Sequence, residues 1–395
     1  MTLAHTPLGT LRGAGSGGVT AFKGVRYAVP ARRFAAPEPA EPWRGVRDAV
    51  TPGAPAPQRP GRMAWVPGLE IDPASGREDC LFLNVWTPSV EGRRPVLVFL
   101  HGGAFVFGSG AQAMYDGTAL ARDHGLVVVT VNYRFGLPGF WYGDGVPANL
   151  ALRDQIAALE WVRGNVAAFG GDPGNVTLAG HSAGGTCVLA LLSCARGLFA
   201  RAAAMSPVPY GFMTRDEAAA WTAAARAAIP GDPRTAPLAD LLAAEAAAAG
   251  ARGPVGGLLP VAPVVDGELL PVHPVQAIRS GVAAPVPLLV TTAAEETRLF
   301  TAIGQPGLDT REIFAGPAEE VVAAHRGPAR HLVCGHRSPM SHGGVELGAC
   351  HLVDVPLYFG THGTPLTGSG PEVDEQARSM SKEFARFCRG GEAEE

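Results

Sequence analysis

The segment Gly180-His181-Ser182-Ala183-Gly184 is where the residue types and their spacing speak most directly of chemistry. It lies between an apolar run, NVTLAG at 175–180, and a helical stretch, AGGTCVLALLSCARG, so Ser182 falls on a sharp strand-to-helix turn. Small flanking residues let that turn close tightly and expose the hydroxyl. A serine hydroxyl attacks a carbonyl only when a base takes its proton, and the tetrahedral intermediate then places negative charge on the former carbonyl oxygen. The chemistry therefore needs a base, an acid to orient it, and backbone donors for the developing oxyanion.

The donors are expected from His101-Gly102-Gly103-Ala104-Phe105, which follows directly on the run PVLVFL at 95–100. The N–H groups of Gly103 and Ala104, joined by that of Ala183 at the start of the next helix, form the expected oxyanion hole. His101 reads as a structural hydrogen-bonding group at the base of this loop. The acid and base should follow the nucleophile in the order Ser, Asp/Glu, His. Two adjacent glutamates, Glu295 and Glu296, come after the run PVPLLVTT at 285–292, and His336, His342 and His351 follow the run HLVC at 331–334. Spacing alone selects neither the glutamate nor the histidine.

The elements that must position these residues follow from hydrophobic patterning. Residues 1–94 are rich in Pro and Gly with short β-type runs, VTAFKGVRYAV and LFLNVW, and predict an antiparallel edge. From residue 95 apolar runs alternate with helical stretches, the pattern of a mostly parallel α/β sheet. PVLVFL and LVVVTVNY (126–133) are nearly continuous in apolar residues, as strands covered on both faces require. In NLALRDQIAALEWVRGNVAAF (149–169), Leu152, Ile156, Leu159, Val162 and Val166 recur at helical spacing until GGDPGN breaks the pattern.

Residues 95–210 thus carry the oxyanion loop and nucleophile, and 211–284 hold two Ala-rich helices, split by PGDPRT, that read as a cap-like insertion. Residues 285–395 carry the acid, the base and a closing helix, PEVDEQARSMSKEFARFC. No internal repeat or long linker divides the chain, so a single α/β domain with a mostly parallel central sheet flanked by helices is expected.

Composition narrows the class further. An apolar fraction of 47% and a charged fraction of 17% describe a chain able to bury a large sheet. With 32 Lys and Arg against 36 Asp and Glu, and no basic block, nucleic acid is excluded as an expected partner. The first residues lack a signal-peptide pattern and no run approaches the length of a membrane span, so a cytoplasmic, non-membrane protein is expected. Six scattered cysteines without a C-x-x-C pair predict reduced thiols, and neither metal nor cofactor is called for.

These motifs, in order, resemble the type B carboxylesterase family. TPLGTLRG, AFKGVRYAVP and PWRGVRDAV are similar to its N-terminal pattern, EDCLFLNV (78–85) to a diagnostic signature, and HGGAF, FGGDPGNVTLAGHSAGG and LGACHLVDVP continue it. The resemblance implies the α/β-hydrolase fold and resolves both open choices. The family's acid segment, D-E-G-x-x-F, aligns with Glu295–Phe300 and implies Glu296 as acid, with Glu295 as the alternative. Its G-x-x-H aligns with Gly348–His351 and implies His351 as base.

The implied activity is hydrolysis of small carboxylic esters through an acyl-enzyme on Ser182. The alternative is the same Ser182, Glu296 and His351 set used for acyl transfer, lactone opening or elimination. Two departures stand out: His181 occupies a position often held by Glu, disfavouring cationic substrates, and the chain is shorter than typical members, implying a trimmed cap and a more open pocket. Phe105, Phe107, Trp141, Phe300, Tyr210 and Phe212 are aromatic residues available either for the pocket or for the core.

Overall fold

A computed structural model describes residues 1–30, 32–252 and 258–391. Its frame is an eleven-stranded sheet. Ten of the strands form one path: β1 (Thr2–Thr6), β2 (Gly9–Ser16), β3 (Val19–Arg26), β4 (Phe82–Thr87), β5 (Arg94–Leu100), β6 (Val127–Val131), β7 (Gly171–His181), β8 (Arg201–Met205), β9 (Leu288–Ala293) and β10 (Ala329–Cys334). The spatial order is β1-β2-β3-β4-β6-β5-β7-β8-β9-β10, and a short strand, Val46–Asp48, pairs with β2 off this path. Pairings from β1 through β4 to β6 are antiparallel, and every pairing from β6 through β5 to β10 is parallel. The polar, Pro-rich N-terminal quarter thus supplies the antiparallel edge, and the apolar runs supply the parallel centre.

The continuous hydrophobicity of β5 has a physical reason. Val96, Val98 and Leu100 feed one hydrophobic core while Leu97 and Phe99 feed the other, because successive side chains leave opposite faces of the strand. Helices cover both faces. The helix α1 (Leu150–Asn165) buries Leu152, Leu159 and Val162, and then tightens into a 3₁₀ turn, Val166–Phe169. The helix α2 (Ala183–Cys194) is apolar on all sides and packs on β7 and β8, while the closing helix runs over Pro371–Arg389. The α/β-hydrolase fold expected from the sequence is what the chain adopts.

Within 211–284, α3 (Arg215–Ala228) begins at a capping box. Thr214 Oγ1 accepts from the Glu217 N–H at 3.2 Å, and Glu217 Oε2 accepts from the Thr214 N–H at 2.7 Å. Its buried face is Ala218, Trp221, Thr222 and Ala225, at helical spacing, and it packs on α4 (Leu238–Ala248). Asn149 ties this region to the start of α1: its amide exchanges hydrogen bonds with the backbone of Val264 at 2.7 and 2.8 Å.

Two elements depart from the sequence reading. β8 reads RAAAM and was not expected as a strand, since it has no β-branched or aromatic residue. It is a strand because Ala202 to Met205 are fully buried between β7 and β9, where small side chains fit beneath α2. The segment after β10, for which no strand is expected, folds into a small hairpin of Ser338–His342 and Val345–Gly348.

Candidate active site

The elbow at Ser182 joins β7 to α2. Ser182 adopts φ 57° and ψ −119°, a backbone conformation costing a non-glycine residue on the order of 1–3 kcal/mol. Its neighbours hold it there: its N–H donates to the Met205 carbonyl at 2.8 Å, and its carbonyl accepts from the Thr186 N–H at 2.9 Å. The glycines permit close approach. A Cβ at Gly180 would lie 2.5 Å from the Gly184 carbonyl oxygen, and one at Gly184 would lie 2.2 Å from that of Leu100. A side chain at Gly180 would force the start of α2 away from β7, and one at Gly184 would push the elbow away from the end of β5, where the HGGAF loop begins.

In that loop Gly103 (φ 123°), Ala104 (φ 52°) and Phe105 (φ 62°) all have positive φ. The Gly103 carbonyl accepts from the N–H groups of Val106 (2.9 Å) and Phe107 (3.1 Å), while a Cβ on Gly103 would strike the Phe107 carbonyl oxygen at 1.8 Å. Neither the Gly103 nor the Ala104 N–H donates a turn or loop hydrogen bond to backbone among the described residues. His101 is buried. Its Nδ1 lies 2.7 Å from the Gly102 carbonyl oxygen, its ring stacks on Tyr133 at 4.4 Å, and burial lowers its pKa to about 4. The Tyr133 hydroxyl donates to the His101 carbonyl at 2.7 Å, fixing the base of the loop.

The two glutamates part company. Glu296 is fully buried, and its Oε2 lies 2.5 Å from His351 Nδ1. Its Oε1 accepts from Ser206 Oγ and from the Ala293 N–H, each at 2.7 Å. Burial pushes its carboxyl up to about 7 against these donors. Glu295 faces outward, bonded to Arg298 (3.0 Å), Arg337 (2.6 Å) and the Ala349 N–H (2.9 Å). Burial raises its pKa, but these partners outweigh it and leave the carboxyl below its ordinary value.

The histidines divide in the same way. His351 is buried, and burial lowers its pKa to about 3, which keeps the imidazole in its basic form. His336 bonds to Gln376 and the Thr367 carbonyl, and His342 stacks on Trp65 at 3.7 Å.

His351, Ser182, His181, Gly102, Gly103 and Ala104 line one cavity. It is narrow, about 30 Å³, room for little more than a water molecule. Met63, Ala104, Phe107, Leu258 and Phe300 are shared with an adjoining cavity of about 450 Å³, which also receives Glu245, Ala246 and Ala249 from α4 and the residue after it. The expectation of an open pocket therefore needs refining: space is tight at Ser182 and widens beyond it. Of the aromatic candidates, Phe107 and Phe300 line these cavities. Phe105 and Trp141 belong to the core, Phe212 is buried against His273, and Tyr210 is exposed with its hydroxyl on Glu320.

Three residues of the site went unread in the sequence. Ser206, at the C-terminal end of the unrecognised β8, is the hydroxyl on Glu296. Asp354 is fully buried, and burial followed by the nearby Glu296 charge pushes its carboxyl to about 7. Glu245 on α4 is buried, accepts from the Leu137 N–H at 2.8 Å, and is pushed by burial to about 7. The only signal for Ser206 was positional, since ligand-contacting residues gather at the carboxyl ends of parallel strands.

His181 is 1% exposed, and its ring sits 4.6 Å from that of His351. Neither ring nitrogen has a hydrogen-bond partner among the described residues. Burial, and then the neighbouring His351, lower its pKa well below the ordinary value.

A strand-elbow-helix serine, a glycine loop at the end of the preceding central strand and a buried glutamate-histidine pair together define an α/β-hydrolase of the serine type. The chain belongs to the carboxylesterase family, whose model matches residues 1–323. It is 39% identical over 315 residues to the para-nitrobenzyl esterase of Bacillus subtilis (strain 168), a match covering 75% of this chain and 63% of that protein. With the probable N-octanoylanthranilate hydrolase AqdA2 of Rhodococcus erythropolis it shares 37% identity over 425 residues, covering 98% of this chain and 92% of that one. A solved PNB esterase structure superposes with a TM-score of 0.88 at 30% identity, covering 100% of this chain and 92% of the other. No described helix is long and apolar enough to cross a membrane.

Proposed function

We propose that this member of the carboxylesterase family hydrolyses carboxylic esters by two-step acyl transfer on Ser182. The observation that carries the reading is the 2.5 Å contact of His351 Nδ1 with Glu296 Oε2, on a histidine that shares the narrow cavity with Ser182. Because Nδ1 is committed to Glu296, Nε2 is the nitrogen that takes the Ser182 proton during attack and delivers it to the departing alkoxide. The same nitrogen then activates water against the acyl-enzyme. Glu296 holds the tautomer and stabilises the imidazolium. The amides of Gly103, Ala104 and Ala183 receive the oxyanion, each such donor contributing roughly 3–4 kcal/mol to transition-state stabilisation.

The adjoining cavity, walled by Met63, Val106, Phe107, Leu258, Phe300 and Ile303, suits an apolar substituent larger than the space at Ser182. Helices α3 and α4 act as the cap. The names of the relatives, an esterase and an N-acyl hydrolase, support acyl transfer to water over lactone opening or elimination. The near balance of 32 basic and 36 acidic residues supports a small-molecule rather than polyanionic partner, and six unpaired cysteines support a reducing, cytoplasmic setting. Turnover of p-nitrophenyl butyrate by the wild type and its loss in Ser182→Ala, with the circular dichroism spectrum unchanged, tests the reading. Equal turnover by the variant would overturn it.

A further inference from the structure

The proposed mechanism uses one of the two buried histidines beside Ser182 and leaves the other without a task. We infer that His181 is a specificity-determining contact for the leaving group, selecting substrates whose departing alcohol carries a hydrogen-bond acceptor, an anionic oxygen above all, over cationic ones. The inference rests on the Ser182 reading and names the substrate class for that site.

Position is the first ground. His181 lines the cavity that also contains Ser182 and His351, and the His351 ring lies 4.6 Å away. A Cβ built on Gly102 would meet His181 Nδ1 at 3.3 Å and Ser182 Cβ at 3.2 Å, so this ring edge stands beside the nucleophile. The leaving oxygen must approach His351 to be protonated. Atoms attached to that oxygen therefore come within reach of His181.

Hydrogen-bonding capacity is the second ground. A neutral imidazole carries one donor and one acceptor, and here both are buried and unpaired among the described residues. Buried polar groups in folded proteins are almost always satisfied, and this ring lines the cavity that a substrate must enter. A substrate acceptor atom satisfies the N–H.

Charge is the third. No carboxylate or ammonium lines the inner cavity, whose titratable side chains are His181, His351 and Tyr115. The outer cavity carries two guanidinium groups, Arg59 and Arg62, and one carboxyl, Glu245, which burial drives toward its neutral form. An anionic leaving group thus meets an imidazole N–H donor and, beyond it, two cations. A cationic leaving group finds no carboxylate on the cavity wall, since Glu296 lies behind His351 and is bonded to it. A glutamate at 181 would reverse this selection, because like charges in a desolvated site repel strongly and opposite ones attract.

Three meta-substituted phenyl acetates of different charge test the proposal: 3-carboxyphenyl, 3-carbamoylphenyl and 3-(trimethylammonio)phenyl acetate. The readout is the ratio of kcat/KM values, each corrected for the hydroxide-catalysed rate of the same ester, with active sites counted by fluorophosphonate titration. The wild type should favour the carboxyphenyl over the trimethylammoniophenyl ester by about tenfold or more, and His181→Glu should lower this ratio by about a hundredfold. His181→Gln, which keeps a neutral donor, should hold the ratio within about fivefold, whereas His181→Leu should lower it about tenfold. Should the glutamate variant fail to fold, the glutamine and leucine pair decides alone. A ratio equal in wild type, His181→Glu and His181→Leu overturns the proposal. Failure of the Ser182 reading looks different: either no acetate is turned over by the wild type, or Ser182→Ala retains all three activities.

Discussion

Replacing Glu296 with Gln separates the two adjacent glutamates more sharply than any other change, and the structure dictates how the amide must sit. Glu296 Oε1 accepts from both Ser206 Oγ and the Ala293 N–H, while Oε2 faces His351 Nδ1 at 2.5 Å. A glutamine must place its carbonyl oxygen where Oε1 was, because its NH₂ there would confront two donors. The NH₂ then faces Nδ1, which must become an acceptor, and the proton moves to Nε2, where it blocks removal of the serine proton. Wrong-tautomer substitutions of this kind cost about 10,000-fold in kcat, or about 5.5 kcal/mol.

Glu295→Gln removes only partly exposed ion pairs with Arg298 and Arg337. Such pairs contribute about 0–1 kcal/mol, so activity should stay within roughly fivefold. The assay is kcat/KM on p-nitrophenyl butyrate for both variants, with thermal unfolding as the folding control. A greater loss in Glu295→Gln, or less than tenfold loss in Glu296→Gln, would show that Glu296 is not the residue that orients His351.

Ser206→Ala removes one of the two donors on Glu296 Oε1. It should lower kcat/KM by roughly tenfold, equivalent to about 1.5 kcal/mol for a hydrogen bond to a charged group, while p-nitrophenyl butyrate KM changes little. Burial holds the His351 pKa far below its ordinary 6.5, at about 3. Burial also raises its partner Glu296 to about 7, so the pair takes up its first proton as a unit, and the acid limb of kcat/KM should lie at or below about pH 7; a midpoint above that value contradicts the burial argument.

Burial raises Glu245 to about 7. Its raised folded-state value makes a contribution to stability that is fully present below its unfolded value near 4.5 and is lost as pH rises through about 7. Glu245→Gln, whose oxygen can still accept from Leu137, should therefore gain Tm relative to wild type between pH 5 and pH 8, in a buffer series by differential scanning calorimetry. A difference independent of pH would contradict the shift.

Much of the frame was legible because its signals are local. PVLVFL and PLLVTT read as strands since both faces of the parallel centre are apolar, and the 149–169 pattern read as a helix, although Val166 falls in the 3₁₀ turn that ends it. The elbow was legible because a serine in so tight a turn needs small neighbours. β8 was not, because its alanines owe their strand conformation to the neighbours on either side rather than to propensity, and Ser206 was hidden with it. The choice between Glu295 and Glu296 had no local signal either. Both follow the same strand, and only the fold determines which carboxyl turns inward to His351 and which outward to Arg298 and Arg337.

Two-step acyl transfer requires a covalent acyl group on Ser182. Rapid acid quench of the protein with p-nitrophenyl butyrate, followed by peptide mass spectrometry, tests it most directly. The peptide carrying Ser182 should gain one butyryl group in proportion to the burst of p-nitrophenol, and the modified peptide should accumulate further in a variant that slows deacylation. Butyrylation at another residue, or a full burst in Ser182→Ala, would contradict it.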